Sequence, residues 1–242
     1  MTLQSTSINK KKGMISQPRY LPALNYLQRI YYSNIFVILD DVQHQRRCVE
    51  HRNKILMNGK PKWLTINIDK TKSSRPIIKD INIKDDFVDA HENAINLAYK
   101  QTKYFDENIF RSIYGSSEKN FVKYFIKTLR NTFKFLNLSL PEIFESSLLH
   151  DTNKGSEKIL KLCSTCSIKE YISGTNGRDY LDSDSFESEN IKLYFHDFKF
   201  PIYNQYHSKQ FVPWLTWLDC YFNEGKEYVK NLITQNINLE SK

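Results

Sequence analysis

Two adjacent acids and a glutamine, Asp40-Asp41-Val42-Gln43, follow an apolar run at residues 35–39. Open α/β sheets hold their ligands beyond the carboxyl ends of their strands, and this run reads as such an end. Carboxylates placed there can act as a base, ligate a metal, or cap a turn through backbone N–H groups. On a strand continuation Asp40 and Asp41 point to opposite faces, so they do not read as a paired acid/base dyad. One of the two is expected to face the cleft. A second polar turn, Gln17-Pro18-Arg19-Tyr20, precedes the helix that leads into the same strand. Gln17, Tyr20 and Gln43 are therefore candidate binding residues.

Arg46, Arg47 and Arg52 carry fork-shaped donors suited to phosphate or carboxylate, although Arg46 and Arg47 also fit an exposed surface. His44, directly after the acidic run, His51 and His91 are candidate proton carriers, because histidine titrates near neutrality. His150, His196 and His207 read as structural or surface residues. Ser173-Gly174 and Gly177 form a glycine-containing loop after a strand, where backbone can approach a phosphate; a plain turn fits equally well. Tyr180 and Asp219 fit as residues lining or bracing the same edge. Ser146 and Ser147 become nucleophiles only with a base beside them. Trp214 and Trp217, three apart on an expected helix, read as core.

The elements that position these groups alternate between strand and helix. Residues 14–17 form a short strand, 20–32 a helix with Pro22 in its first turn, and 35–40 a buried strand, together a β-α-β unit. Residues 54–57 and 63–68 flank Asn58-Gly59, a strong hairpin signal. Residues 77–83 alternate weakly, like a strand. Helices are expected at 86–100 and, in two pieces broken at 115–118, across 108–136. Further strands are expected at 143–149, 169–172 and 191–195, and helices at 155–166 and 213–222. The pattern predicts an α/β fold, a mainly parallel sheet flanked by helices, Rossmann-like, with a helical insertion at about 86–136. Residues 1–13 read as a basic lead-in and 14–242 as one α/β domain.

The chain has 242 residues, 40% hydrophobic and 14% aromatic, which excludes a disordered composition. No apolar run approaches the roughly 18 residues of a membrane span, and no signal core precedes the first basic cluster, so a cytoplasmic protein is expected. The net charge of +8 fits a phosphate-bearing partner, with surface lysines as the plainer explanation. Nucleic acid, such as tRNA, is a weaker partner reading that rests on charge alone. Cys163 and Cys166 have no companion pair at zinc spacing, and their C-x-x-C closes a helix where redox pairs open one. They read as small core residues. No metal centre and no cofactor is identified from the sequence.

In order and spacing, the motifs resemble the WbqC-like protein family. They are SQPRYLPALNYL (16–27), DDVQ (40–43), HRNKI (51–55), WLTINI (63–68), SSLL (146–149), YISGTNGRDYL (171–181) and FVPWLTWLDCYFNEG (211–225). The chain departs from the family pattern at Ser16, where histidine is usual, and at Ala23, Asn25, Val49 and His51. The resemblance implies an accessory protein of surface-polysaccharide or O-antigen biosynthesis, acting on an activated sugar or its amino derivative. Within the motif, Arg52 is expected to hold substrate or pair with Asp40 or Asp41, and Asn53 to bind a sugar hydroxyl or brace the loop. The family's frequent histidine near position 91 favours His91 as a site residue. Asp40, Asp41, His91 and His44 are thus the catalytic candidates of a group transferase on a nucleotide-linked amino sugar. An adenylyl transferase or ligase and a non-catalytic carbohydrate-binding scaffold are the alternatives.

Overall fold

The computed structural model describes residues 11–241 except 46, 47, 70–72, 74, 85 and 86. The first strand, β1 (Lys12–Ser16), leads through helix α1 (Leu24–Tyr31) into strand β2 (Ile35–Ile38), which pairs parallel to β1. All four residues of β2 are buried, as expected of a strand covered on both faces. Pro22 lies ahead of the helix, because Leu21 takes a positive φ of 46° and Ala23 is the N-cap. The sheet order is β5-β2-β1-β6-β7-β8, with β5 (Glu142–Glu145), β6 (Glu170–Gly174), β7 (Lys192–His196) and β8 (Leu239–Ser241). All pairings are parallel except the edge strand β8, which runs antiparallel to β7. This is the mainly parallel α/β sheet that the alternating pattern predicts.

Alternation along the strands divides the core between the two sheet faces. Met14, Phe36 and Ile38 face a large cluster shared with α1, α2 (Val88–Tyr99), α3 (Ile109–Tyr114), α4 (Phe121–Phe135), α7 (Trp217–Glu224) and α8 (Lys226–Thr234). Ile15, Ile35 and Val37 face a smaller cluster with α5 (Gly155–Thr165) and α6 (Ser183–Ser188). Cys163 and Cys166 are buried in that second cluster, as free thiols. The hairpin β3 (Arg52–Met57)–β4 (Lys60–Thr65) stands apart as its own two-stranded sheet. Asn58 and Gly59 both take positive φ at its turn, which is why Asn-Gly marks it.

Several elements differ from expectation. Residues 77–83 hold a short 3₁₀ turn, Ile78–Asp80, with isolated bridges in place of a strand. The strand expected over 143–149 stops at Glu145 and turns into a 3₁₀ segment, Ser146–Leu148. Strand β2 ends at Ile38, two residues before the acids. Helices α6 and α8 and strand β8 were not expected; each is short, and tertiary contacts carry what weak periodicity does not. No helix among the described residues is long and apolar enough to cross a membrane.

Candidate functional site

Because β2 ends early, Asp40 and Asp41 do not alternate across a strand. Instead they converge on the end of neighbouring β5. Ser147 donates to Asp40 through its N–H (2.8 Å to Oδ1) and its hydroxyl (2.8 Å to Oδ2). The Asp40 N–H donates to Ser146 Oγ at 3.1 Å. Ser146 Oγ lies 2.6 Å from Asp41 Oδ1 and 3.1 Å from Asp40 Oδ1, so its single proton serves one of them at a time. Lys158 of α5 closes the cluster at 2.7 Å from Asp41 Oδ2. Asp40 is fully buried. The acidic pair thus ties the carboxyl ends of β2 and β5 to α5, with Lys158 as the cation on Asp41. Gln43 is exposed and bridges to Ile77.

The loop after Gln43 gathers His44, Cys48, Glu50 and His51. His44 Nε2 lies 3.0 Å from His51 Nδ1, 3.4 Å from Glu50 Oε2 and 3.9 Å from Cys48 Sγ. Burial pushes the Glu50 carboxyl up to about 7, against the pull of Cys48, the Gln45 backbone and Arg19. Burial likewise raises the Cys48 thiol to about 11. Arg47 lies outside the described residues. Arg52 donates to the Cys48 carbonyl and stacks on Trp63, its Cζ 4.2 Å from a ring centroid. Asn53 is buried, donates to the Leu21 carbonyl and accepts from the Lys54 N–H, so it fixes the positive-φ turn ahead of α1.

A cavity of about 560 Å³ opens at the carboxyl ends of β1, β6 and β7. The chain leaves β1 for β2 on one side, while β6 pairs on the other, so this crevice is the switch point at which open α/β sheets bind ligands. Ser16 and Gln17 line it from β1, Ser173, Gly174 and Gly177 from β6 and the turn after it, and His196 and Asp197 from β7. Arg19, Asn25 and Arg29 enter from α1 and the turn before it, and Tyr180 and Trp214 stand at its edge, each about half exposed. Trp214 is thus no core residue: it precedes α7, takes a positive φ of 64° and leaves the core position to Trp217.

Arg19 and Arg29 give the cavity its charge. Among the described residues neither has a carboxylate within 4 Å. Arg29 is 5% exposed, and its Nε is buried with no hydrogen-bond partner among the described residues. Burial and then neighbouring Arg19 hold its guanidinium down to about 10. Both guanidiniums flank the Tyr26 ring, at 5.1 Å for Arg19 and 6.0 Å for Arg29. Glycine at 174 leaves room for this group, since a Cβ there would lie 3.0 Å from Arg29 Nη1. Asn25 Oδ1 is a further buried atom with no partner among the described residues. Burial, then the Arg29 charge, lowers His196 to about 4, so its ring is neutral at pH 7. Gln28 donates from Nε2 to the Leu232 carbonyl, which turns its Oε1 toward His196 Nε2 at 2.7 Å and makes that nitrogen the protonated one.

The sequence-derived candidates therefore divide by location. Gln17, Ser173, Gly174, Gly177 and Tyr180 share the crevice. Tyr20 and His91 pair with each other in the core, hydroxyl to Nδ1 at 2.8 Å, beside Phe87 and Tyr124. Asp219 lies on the buried face of α7, accepting from Tyr99 (2.8 Å), Tyr203 (2.7 Å) and Gln205 (2.9 Å). Burial raises its carboxyl and these three donors pull it back. Arg19, Asn25, Arg29 and His196 were not singled out as site residues. The available signal was a lone arginine inside the apolar α1 segment LNYLQRIY, where a charged residue has to face something polar.

Burial holds His91 near 4 against an ordinary 6.5, with the Thr65 carbonyl pulling upward and Lys62 downward. The unfolded chain takes up the proton near 6.5, and the folded one only near 4. Stability from neutral His91 is thus complete above 6.5 and is lost as pH falls toward 4, on the order of 3 kcal/mol in all. His196 acts in the same direction. Urea midpoints measured from pH 7 to 4.5 should fall steeply, and His91→Gln should flatten that slope. An unchanged slope in the variant would remove His91 from the acid limb.

The WbqC-like protein family model matches residues 17–231. A relative from Mycobacterium tuberculosis (strain ATCC 25618 / H37Rv), described as uncharacterized protein Rv1507c, is 26% identical over 223 residues, covering 90% of this chain and 95% of its own. No solved structure matches the chain. With most of its length matched, the chain belongs to the WbqC-like protein family.

Proposed function

We propose that the protein is a group transferase acting on a nucleotide-linked sugar, most naturally an amino sugar, in the assembly of surface polysaccharide such as O-antigen. The observation that carries this reading is the pair Arg19 and Arg29, turned into a switch-point crevice with no carboxylate within 4 Å of either among the described residues. An anionic diphosphate supplies a close counter-charge and takes fork-shaped hydrogen bonds from Arg29, whose Nε has no partner among the described residues. The turn Thr175–Asp179 after β6 brings backbone to the same anion, and the half-exposed rings of Tyr180 and Trp214 can cover a base or sugar. The cavity volume suits a ligand of this size.

Two groups at the end of β7 can handle protons. Asp197 is the carboxylate among the lining residues, and His196 is a neutral imidazole whose Nδ1 carries the lone pair. A bound anion offsets the Arg29 charge, one of the two causes that hold His196 down, so substrate itself raises the basicity of His196. Either group can then take the proton from an attacking sugar amine or hydroxyl. A cytoplasmic location, where nucleotide-linked sugars are used, fits four cysteines that form no disulfide.

The test is thermal stabilisation of the purified chain by nucleotide-linked amino sugars, ATP with magnesium, acyl-CoA compounds and tRNA. A ligand at a hundred times its dissociation constant should add about 2.7 kcal/mol. A shift with the nucleotide-sugar class, lost when Arg29 is replaced, supports the reading. A shift with tRNA alone, or with none of the panel, overturns it in favour of nucleic-acid binding or a scaffold role.

A further inference from the structure

We propose that the loop between β2 and β3 holds a zinc-class divalent metal ion, ligated by His44 Nε2, His51 Nδ1, Cys48 Sγ and the Glu50 carboxylate. The ligand atoms of His44, Cys48 and His51 all lie within 4.8 Å of one another, and Glu50 Oε2 is 3.4 Å from His44 Nε2. Zinc bonds of about 2.0 Å to nitrogen or oxygen and about 2.3 Å to sulfur set the edges of a tetrahedral site. Those edges are about 3.3 Å between nitrogen or oxygen ligands and about 3.6 Å from nitrogen to sulfur. Measured from His44 Nε2, the separations are 3.0 Å to His51 Nδ1, 3.4 Å to Glu50 Oε2 and 3.9 Å to Cys48 Sγ, three of the six edges; Glu50 stands outside the group formed by the other three and has to turn inward to complete the shell.

Hydrogen bonding alone accounts poorly for the cluster. An imidazole nitrogen carries at most one proton, yet His44 Nε2 faces a ring nitrogen, a carboxylate and a thiol together. Glu50 is 1% exposed, and neither of its oxygens meets hydrogen-bond geometry with a described group. A buried carboxylate is costly unless a cation is close, and among the described residues no lysine or arginine lies within 4 Å of Glu50, Arg19 acting on it from farther away. A divalent ion with one thiolate, one carboxylate and two neutral imidazoles sums to zero charge. In its protonated form the Cys48 thiol donates to the Gln45 carbonyl at 2.9 Å; the metal takes the place of that proton.

The ligands are held in place from outside the loop. The His44 N–H donates to Pro76, the Tyr20 N–H to the Glu50 carbonyl and the Ile66 N–H to the His51 carbonyl. Mixed nitrogen and sulfur donors favour zinc over magnesium or calcium. Four protein ligands close the coordination shell, so the ion's role is to order this loop. Gln45, on the same loop, lines the crevice, so the ion also steadies one of its walls.

The experiment is titration of the tag-free full chain, stripped with chelator, with Co²⁺ and then Zn²⁺. Tetrahedral cobalt bands with a sulfur charge-transfer band are expected, displaced by zinc, together with a higher melting temperature. His44→Ala should abolish the bands. Because that buried variant can fail to fold, Cys48→Ser, at a half-buried position, serves as the second. It should remove the charge-transfer band and weaken affinity roughly 100-fold or more, since even outer-shell partners are worth 10- to 100-fold. Absence of tetrahedral bands in the wild type, or bands that survive Cys48→Ser unchanged, would overturn the proposal. Arg29→Met should leave metal binding intact, which separates this site from the anion pocket.

Discussion

Arg29→Met should bind the anionic ligand at least about 100-fold more weakly while melting at the same or a higher temperature. Hydrogen bonds to a charged group contribute about 1.5 to 3 kcal/mol each, so losing the guanidinium removes roughly two orders of magnitude in affinity. Stability should move the other way. Arg29 is buried, has no carboxylate within 4 Å among the described residues, and is held down to about 10 by burial and by Arg19. Replacing a poorly compensated buried charge by an apolar side chain of similar length is neutral or stabilising. A gain of about 1 kcal/mol would raise the melting temperature by about 2 to 4 °C in a chain of this size. Arg29→Lys should fall between, keeping the charge but losing the fork. Calorimetric titration with the nucleotide-sugar class and a melting curve on the same samples read both effects. A variant that melts far lower and binds normally would make Arg29 a structural residue, and the crevice would lose its main claim as an anion site.

Asp40→Ala should cost about 3 to 5 kcal/mol of folding stability, the range for removing one partner of a buried charged cluster. It leaves the Ser147 N–H and hydroxyl without their acceptor and unties β2 from β5. A natural domain is stable by only 5 to 15 kcal/mol, so much of the protein would unfold on mild heating. Ser147→Ala removes one of those bonds and should cost about 1 kcal/mol. The readout that separates bracing from chemistry is ligand affinity per folded molecule, which should match the wild type. Normal urea midpoints with lost turnover would instead return Asp40 to a catalytic role.

Several parts of the molecule were legible before any tertiary contact was known. The alternation of apolar strands and amphipathic helices gives a mainly parallel α/β sheet, because each element must bury its apolar face against the next layer. Asn58-Gly59 marks the hairpin because both residues accept positive φ. The order and spacing of seven short motifs place the chain in its family. The loop at 173–177 is recognisable as a glycine-containing turn after a strand, and it does line the crevice.

What the one-dimensional pattern leaves open is which polar residues meet. Asp40 and Asp41 look like cleft residues because they follow a strand, yet the strand ends at Ile38 and the acids fold onto Ser146, Ser147 and Lys158, more than 100 positions away. Tyr20 and Gln17 stand three apart in one motif, but Gln17 lines the crevice and Tyr20 turns into the core to meet His91. Arg29 looks like an ordinary helix arginine until the sheet order sets β6 beside β1 and brings Gly174 against its guanidinium. Sequence determines local conformation and which faces are apolar, since those depend on neighbours along the chain. The pairing of charges, and so the site, depends on strand order and on where each strand stops, which long-range packing alone decides.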